Sequence, residues 1–382
     1  MADAAVSDAL QTVSEANGLF TSDIYWVLAQ QEGNLFFSPW SIQIILALAF
    51  LGAGGNTAKE MASGLRLPED KNATEQGLSD ILSQMKGVND ITLRVANKMF
   101  VKKNFAIYEA FKQSAGKLMA GVEEMDFVQG GAAEIINSWV EKITNGKIKN
   151  IIPSGAFSEL TRMVLVNAVY FKGNWSRQFT ESATRPELFY PASQPAKNVD
   201  TMFIKDRFSY ALIEELNCQA LLLPYKGRRI SMLILLPREL NGLPNAENKL
   251  ADVTLQQIMS RMYWPKVIVH LPKFKMEYQV ELTETLKKLG MTSMFSDYAA
   301  NFSGISEEKL KVNQVLHKAF IEVNEEGTEA AAATAVIGGA VATSLHNTPP
   351  PPIIFRADHP FLFYILDQKT KVVLFAGRVS DP

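Results

Sequence analysis

The side chains that could do chemistry are few and scattered. The chain has four histidines, His270, His317, His346 and His359, and one cysteine, Cys218. No HExxH run sets two histidines and a glutamate on one helix face, so that zinc site is not written here. No GxSxG run places a serine on a strand-to-helix elbow, and no phosphate-binding glycine loop occurs. A single cysteine excludes an intrachain disulfide and a cysteine-based zinc site. Cys218 stands beside an apolar run, where an inert buried thiol is the expected state rather than a nucleophile. His317 follows Val315-Leu316 and precedes a strand-like run, so it reads as a buried, hydrogen-bonded structural group. The glycines of Gly52-Ala53-Gly54-Gly55 are spaced loosely like a dinucleotide fingerprint. They follow a helical apolar run rather than a strand, and read as a helix stop. The carboxylate pairs Glu123-Glu124 and Glu325-Glu326 are adjacent in sequence and are expected to be solvated. No catalytic residue, cofactor or metal is indicated.

One segment stands apart. From Gly327 to Pro352 the chain reads GTEAAAATAVIGGAVATSLHNTPPPP, with Glu329 as its one charge. It lies between two strand-like runs, and a stretch this long without a pattern of its own is functional or disordered. Two readings stand for Glu325–Ala335, a short alanine-rich helix or an extended loop. Pro349–Pro352 form a stiff polyproline segment ahead of the next strand.

The elements that would carry this segment are legible. Apolar residues recur at helical spacing over 6–30. Ser38-Pro39 supplies a cap and a first-turn proline for a helix through Ile42–Phe50. A further helix covers Ala132–Thr144, and Leu93–Val101 reads as a strand. Beyond it, Val164–Phe171, Ala220–Pro224, Ser231–Leu236, Val267–Leu271, Ala319–Val323, Phe361–Leu366 and Val372–Phe375 are short apolar or alternating runs expected as strands, several buried on both faces. A helix-rich first part and a strand-rich second part predict an α+β fold, with no linker and no repeat dividing residues 1–382. The net charge is −2 and no block of five like charges occurs, so nothing marks nucleic acid or an anionic membrane as a partner. The start, MADAAVSDAL, lacks a basic stretch followed by an apolar core. As written the chain is expected to be cytoplasmic, and extracellular if a leader has been removed.

Taken in order, several motifs resemble one family across essentially the whole chain. They are Asn34-Leu35-Phe36-Phe37-Ser38-Pro39-Trp40-Ser41-Ile42, then Val166-Asn167-Ala168-Val169-Tyr170-Phe171-Lys172-Gly173-Asn174-Trp175, Leu271-Pro272-Lys273-Phe274 and Leu289-Gly290-Met291. His317-Lys318-Ala319 then runs into Glu325-Glu326-Gly327-Thr328-Glu329-Ala330-Ala331-Ala332-Ala333-Thr334, and Ala357-Asp358-His359-Pro360-Phe361-Leu362-Phe363 closes the chain. Together they resemble the serpins. The resemblance implies three β-sheets, eight or nine helices, an exposed reactive-centre loop over about 325–352, and a monomer. It also implies a suicide mechanism: a serine protease cuts the loop, forms an acyl-enzyme through its own serine, and is trapped as the cut loop inserts into the large sheet. The hinge would be Glu325, Gly327, Thr328, Glu329, Ala330, Ala331, Ala332, Ala333 and Thr334. Ser38, Ser41, Asn167 and His317 match the polar cluster beneath the opening sheet. Lys273 matches the ion-pair partner of Glu325, with Trp175 in the same region.

The loop's composition suits insertion. Gly327 to Val341 is 15 residues, about 50 Å as a strand. Small uncharged side chains can slide between strands without desolvating a charge. Thr328, Ala330, Ala332 and Thr334 would share the buried face, and Glu329 the solvent face. Family spacing puts the scissile bond at Val341-Ala342, fitting an elastase-like protease. Counting back from Pro360 points nearer Asn347, with Leu345 and His346 as targets for chymotrypsin-like enzymes. No Arg or Lys lies between Gly327 and Pro352, which disfavours trypsin-like targets. The alternative is a non-inhibitory serpin acting as carrier, chaperone or structural partner.

Overall fold

A computed structural model describes residues 7–88, 90–128, 131–327 and 350–382. Among them the helices are α1 (Asp8–Leu28), α2 (Pro39–Gly52), α3 (Gly55–Gly64), α4 (Lys71–Met85), α5 (Glu109–Lys117), α6 (Ala132–Ile143), α7 (Leu243–Asn248), α8 (Leu255–Ser260) and α9 (Thr283–Lys288). The strands are β1 (Leu35–Phe37), β2 (Ile91–Lys102), β3 (Gly121–Met125), β4 (Met163–Gly173), β5 (Arg185–Phe189), β6 (Lys197–Arg207), β7 (Ser209–Ile213) and β8 (Cys218–Pro224). They continue as β9 (Ile230–Pro237), β10 (Lys266–Pro272), β11 (Phe274–Glu281), β12 (Gln314–Val323), β13 (Ile353–Arg356), β14 (Phe361–Asp367) and β15 (Val373–Val379).

Local chemistry explains the elements that matter most. The Ser38 hydroxyl caps α2 by accepting from the Ser41 N–H at 3.2 Å, and Pro39 fills the first turn, where no backbone donor is needed. Helix α2 is apolar all round and correspondingly buried from Pro39 to Phe50. It ends at the expected glycine run. Gly55 takes φ +52° and opens α3, a conformation glycine adopts without strain.

The strands form three sheets, ordered β1-β15-β14-β9-β8-β7, β13-β10-β6-β5 and β11-β12-β4-β2-β3. In the last, β4 is central. Its inner face, with Leu165, Val169 and Phe171, packs in the main core with α2, and its outer face, with Val164, Val166 and Tyr170, packs under α6. That explains its mostly apolar sequence, interrupted by Asn167 and Lys172. β4 pairs antiparallel with β2 and parallel with β12, from Gln314 opposite Val164 to Phe320 opposite Tyr170. Among the described residues no strand separates β12 from β4.

The expected division holds in outline, with two differences. In the first part β1 and β3 join the expected strand at Leu93–Val101, which is β2. The second part also holds β5, β6, β7, β11 and β13, which are short or mix polar with apolar residues. β5, β7, β11 and β13 are edge strands, and β6 is half-exposed.

Candidate functional site

The site is the seam between β12 and β4, together with its polar floor and its upper end. The floor lies across three neighbouring strands. Asn97 on β2 faces Asn167 on β4, which faces His317 on β12, so all three project from the same side of the sheet. That side meets the start of α2. The Ser38 N–H donates to His317 Nε2 at 3.2 Å, which places the imidazole proton on Nδ1, where it bonds Asn167 Oδ1. The Asn167 amide donates to Ser41 Oγ and to Asn97 Oδ1, and Ser41 Oγ donates to Asn97 Oδ1 at 3.1 Å. The Ser38 hydroxyl donates to the Leu374 carbonyl at 2.7 Å. Ser38, Ser41, Asn167 and His317 are therefore in one hydrogen-bonded cluster, and every member is buried. Burial pushes the His317 imidazole down to about 3, so it is neutral at physiological pH.

The upper end holds the root of the loop. Lys273 Nζ lies 3.1 Å from Glu325 Oε2, and the Thr184 hydroxyl donates to Glu325 Oε1 at 2.7 Å. Burial pushes the Glu325 carboxyl up, but the bonds from Thr184, its own backbone N–H and Lys273 together hold it below its ordinary value. The expectation of a solvated Glu325-Glu326 pair is corrected here. Glu325 is 7% exposed, because the turn from Asn324 to Gly327 brings its carboxylate to Thr184 and Lys273. Glu123 and Glu124 are exposed as expected.

Trp175 braces this turn. Its indole N–H donates to the Asn324 carbonyl at 3.0 Å, and its backbone N–H to the Glu326 carbonyl at 2.8 Å. Its ring stacks on Tyr225, with centroids 4.5 Å apart. Gly327 is bridged to Asn324 on one side and Asn174 on the other, antiparallel to both. Only glycine fits: at φ +132° a Cβ would lie 2.1 Å from the Gly173 carbonyl oxygen. Thr328, Glu329, Ala330, Ala331, Ala332, Ala333, Thr334, Val341, Ala342, Leu345 and His346 lie outside the described residues.

Nothing around the seam has the form of a catalytic constellation. Cys218 is buried and its thiol is pushed up to about 12 by desolvation. Among the described residues no group of three or more His, Cys, Asp or Glu could hold a metal, and no helix is long and apolar enough to cross a membrane. Asn97, Thr184 and Asn324 were not marked by sequence.

The family model described as "Serpin (serine protease inhibitor)" matches residues 15–382. The chain is a serpin. Serpin B6 of Pongo abelii is 38% identical over 98% of this serpin and 100% of its own length. The leukocyte elastase inhibitor of Equus caballus is 37% identical, again over 98% and 100%. Among solved structures, Serpin48 of the insect Tenebrio molitor superposes with a TM-score of 0.88 at 35% identity, covering 99% of this chain and 100% of its own. Membership places this serpin among protease inhibitors rather than enzymes, and its three sheets are the family's.

Proposed function

We propose that this serpin traps serine proteases as a suicide substrate, the cut loop inserting between β12 and β4. The observation that carries the reading is the double bridge at Gly327. A strand growing from Gly327 antiparallel to both neighbours keeps one register with each. Opposite β4 it runs from Thr328 at Gly173 to Gly338 at Met163, and opposite β12 from Thr328 at Val323 to Ile337 at Gln314. The two registers agree with the existing β12–β4 pairing, so Gly327 would be the first rung of an inserted central strand.

That register gives the loop's residues roles. Thr328, Ala330, Ala332 and Thr334 would face α2, and Thr334 would fall between Asn167 and His317. Its hydroxyl can replace the Asn167–His317 hydrogen bond that the new strand must break, leaving no buried polar group unsatisfied. Insertion would replace the single β12–β4 ladder by two, one on each side of the new strand, and that net gain of ladder hydrogen bonds supplies the driving force.

Sheet length supports Val341-Ala342 as the scissile bond. Opposite β4 the strand is complete at Gly338, so a cut after Val341 leaves little slack between sheet and tethered protease. A cut at Leu345 or His346 leaves more, and slack lets the protease's active site recover. A valine suits a small apolar primary pocket, and the similarity to a leukocyte elastase inhibitor supports an elastase-like target, with chymotrypsin-like enzymes next.

Incubation with pancreatic elastase and with chymotrypsin, followed by denaturing electrophoresis, tests the reading. A covalent band at the summed mass is expected, with Ala342 as the new N-terminus of the released peptide. Loop cleavage without such a band for every protease tried would overturn it in favour of a carrier, chaperone or structural role.

A further inference from the structure

Beside the root of the loop lies a pocket of about 180 Å³ walled by Arg177, Arg207, Arg228, Phe208 and Trp264, with Asp206 as its one acidic lining residue. The three arginines are exposed. Arg177 contacts Asp206 at 3.3 Å, and Arg207 donates to the Trp264 carbonyl at 3.0 Å. Neither Arg207 nor Arg228 has a carboxylate partner among the described residues. Lys266 stands directly opposite Arg207 on the β10–β6 ladder. Like charges opposite one another on a ladder are destabilising. This cationic group therefore exists in a chain of net charge −2 at a local cost that Asp206, already in contact with Arg177, offsets only in part.

Its place says what would offset it. The pocket lies between the two points where the loop leaves and rejoins the body. On one side the Ser176 N–H donates to the Pro224 carbonyl, one residue after Trp175 has bonded the Glu326 carbonyl, next to the Gly327 bridge. On the other, Lys266 directly precedes Val267, which pairs with Ile353 at the start of β13. A protein bound to the segment between these two points has this ground within reach.

We propose that Arg177, Arg207, Arg228 and Lys266, gathered around Trp264, form a second contact for the protease, taking an acidic surface segment at the rim of its active-site cleft. The proposal rests on the inhibitory reading and adds a charge preference to it. The pocket has room for one or two carboxylate side chains, and Trp264, 47% exposed, offers apolar surface to their stems. An extended polyanion would need a longer cationic track. Charges at a rim act chiefly on the rate of encounter and are screened by salt.

The test compares association rates of the wild type and the R177E/R207E/R228E variant with an anionic and a cationic pancreatic elastase, from low to high salt. At low salt the variant should react about 10-fold more slowly with the anionic elastase, the low end for electrostatic steering. It should lose nothing with the cationic one. The difference should shrink as salt rises, with stoichiometry of inhibition and melting temperature unchanged. Should the variant fold poorly, the salt dependence of the wild type alone decides: its rate must fall with salt for the anionic elastase and not for the cationic one. Equal variant-to-wild-type ratios for both elastases, or rates indifferent to salt, overturn the proposal. So does loss of heparin binding in the variant with its protease rates intact, which would assign the patch to a polyanion. If the wild type forms no covalent complex with any protease, the inhibitory reading itself fails, an outcome distinct from complexes that form at unaltered rates.

Discussion

His317 and Asn167 face one another across the β12–β4 seam, joined by a hydrogen bond from the imidazole Nδ1–H to the amide oxygen. Both are fully buried, so the seam is held shut by a polar contact that no water reaches. The same burial gives the protein an acid weakness. Unfolded, His317 takes up a proton below its ordinary value near 6.5, whereas in the fold it does so only near 3. Stability from this group is thus complete above about pH 6.5 and falls as pH drops toward 3. At about 1.4 kcal/mol per unit of displacement, the loss by pH 4 is on the order of 3 kcal/mol. His270, also pushed down by burial, adds in the same direction. Thermal unfolding midpoints of the wild type and His317→Gln between pH 7.5 and 4.5 check this. The variant should be less stable at pH 7.5 and approach the wild type as pH falls. Parallel curves would contradict the assignment.

The Glu325–Lys273 pair predicts unequal effects from its two halves. The Glu325 side chain is 9% exposed and that of Lys273 is 38% exposed. Removing the lysine leaves a buried carboxylate with a lone side-chain donor, Thr184. Removing the carboxylate's charge leaves an ammonium that water can reach. Lys273→Ala should therefore cost about 1–3 kcal/mol, and Glu325→Gln, which keeps the Thr184 bond, about 1 kcal/mol or less. The low carboxyl value means that the contribution of Glu325 is present above about 4.5 and lost as pH falls through its lower folded value. Chemical denaturation of both variants at pH 7 gives the comparison, and a larger loss for Glu325→Gln would refute it.

What the sequence made legible here is what one-dimensional pattern can carry. Helix α2 announced itself by Ser38-Pro39 and the apolar run that follows to Phe50, and β4 by an apolar run over Val164–Phe171 interrupted by Asn167 alone. His317 read as buried because its neighbours were apolar. Asn97 was invisible, since a polar residue at every second strand position looks the same whether it faces water or Ser41. The burial of Glu325 is not legible, because adjacency in sequence says nothing about the partners, Thr184 and Lys273, that a turn brings to one side chain. The cationic pocket was equally hidden. Its arginines come from three separate segments and Lys266 from a fourth, none a charge run in itself. Resemblance supplied the roles of the floor and the hinge, and only the structure showed Gly327 bridged on both sides.

Gly327→Ala tests that rung. An added methyl group would meet the backbone of Gly173, Asn174 and Trp175 within 2.7 Å, and backbone cannot swing aside as a side chain can. The φ of +132° is closed to alanine as well. The turn from Asn324 to Gly327 must rebuild, at a cost of about 1–3 kcal/mol. The bridge to Asn174 should open, and the growing strand should lose its starting point. Expected are a lower melting temperature and more inhibitor consumed per protease trapped. An unchanged stoichiometry would mean that insertion does not start from this rung.

Thr328 and Glu329 are neighbours with opposite predicted consequences. In the register set by Gly327, Thr328 would lie between Gly173 and Val323, facing the core beneath the sheet, whereas Glu329 would lie between Lys172 and Glu322 on the other face. Both flanking residues of that outer position are only half-buried. Thr328→Arg would force a guanidinium into apolar surroundings without a partner, an unaffordable cost for a strand that must enter before the acyl-enzyme hydrolyses. Glu329→Lys would exchange one solvated charge for another, trading Lys172 for Glu322 as its opposite charge. The first variant should be cleaved like an ordinary substrate, leaving the protease active. The second should trap protease at the wild-type stoichiometry. A melt before and after cleavage separates the steps: cleaved wild type and cleaved Glu329→Lys should unfold at higher temperature than the intact proteins, while cleaved Thr328→Arg should gain little. If Thr328→Arg traps protease as the wild type does, the strand enters in another register, and the alignment drawn from Gly327 is wrong.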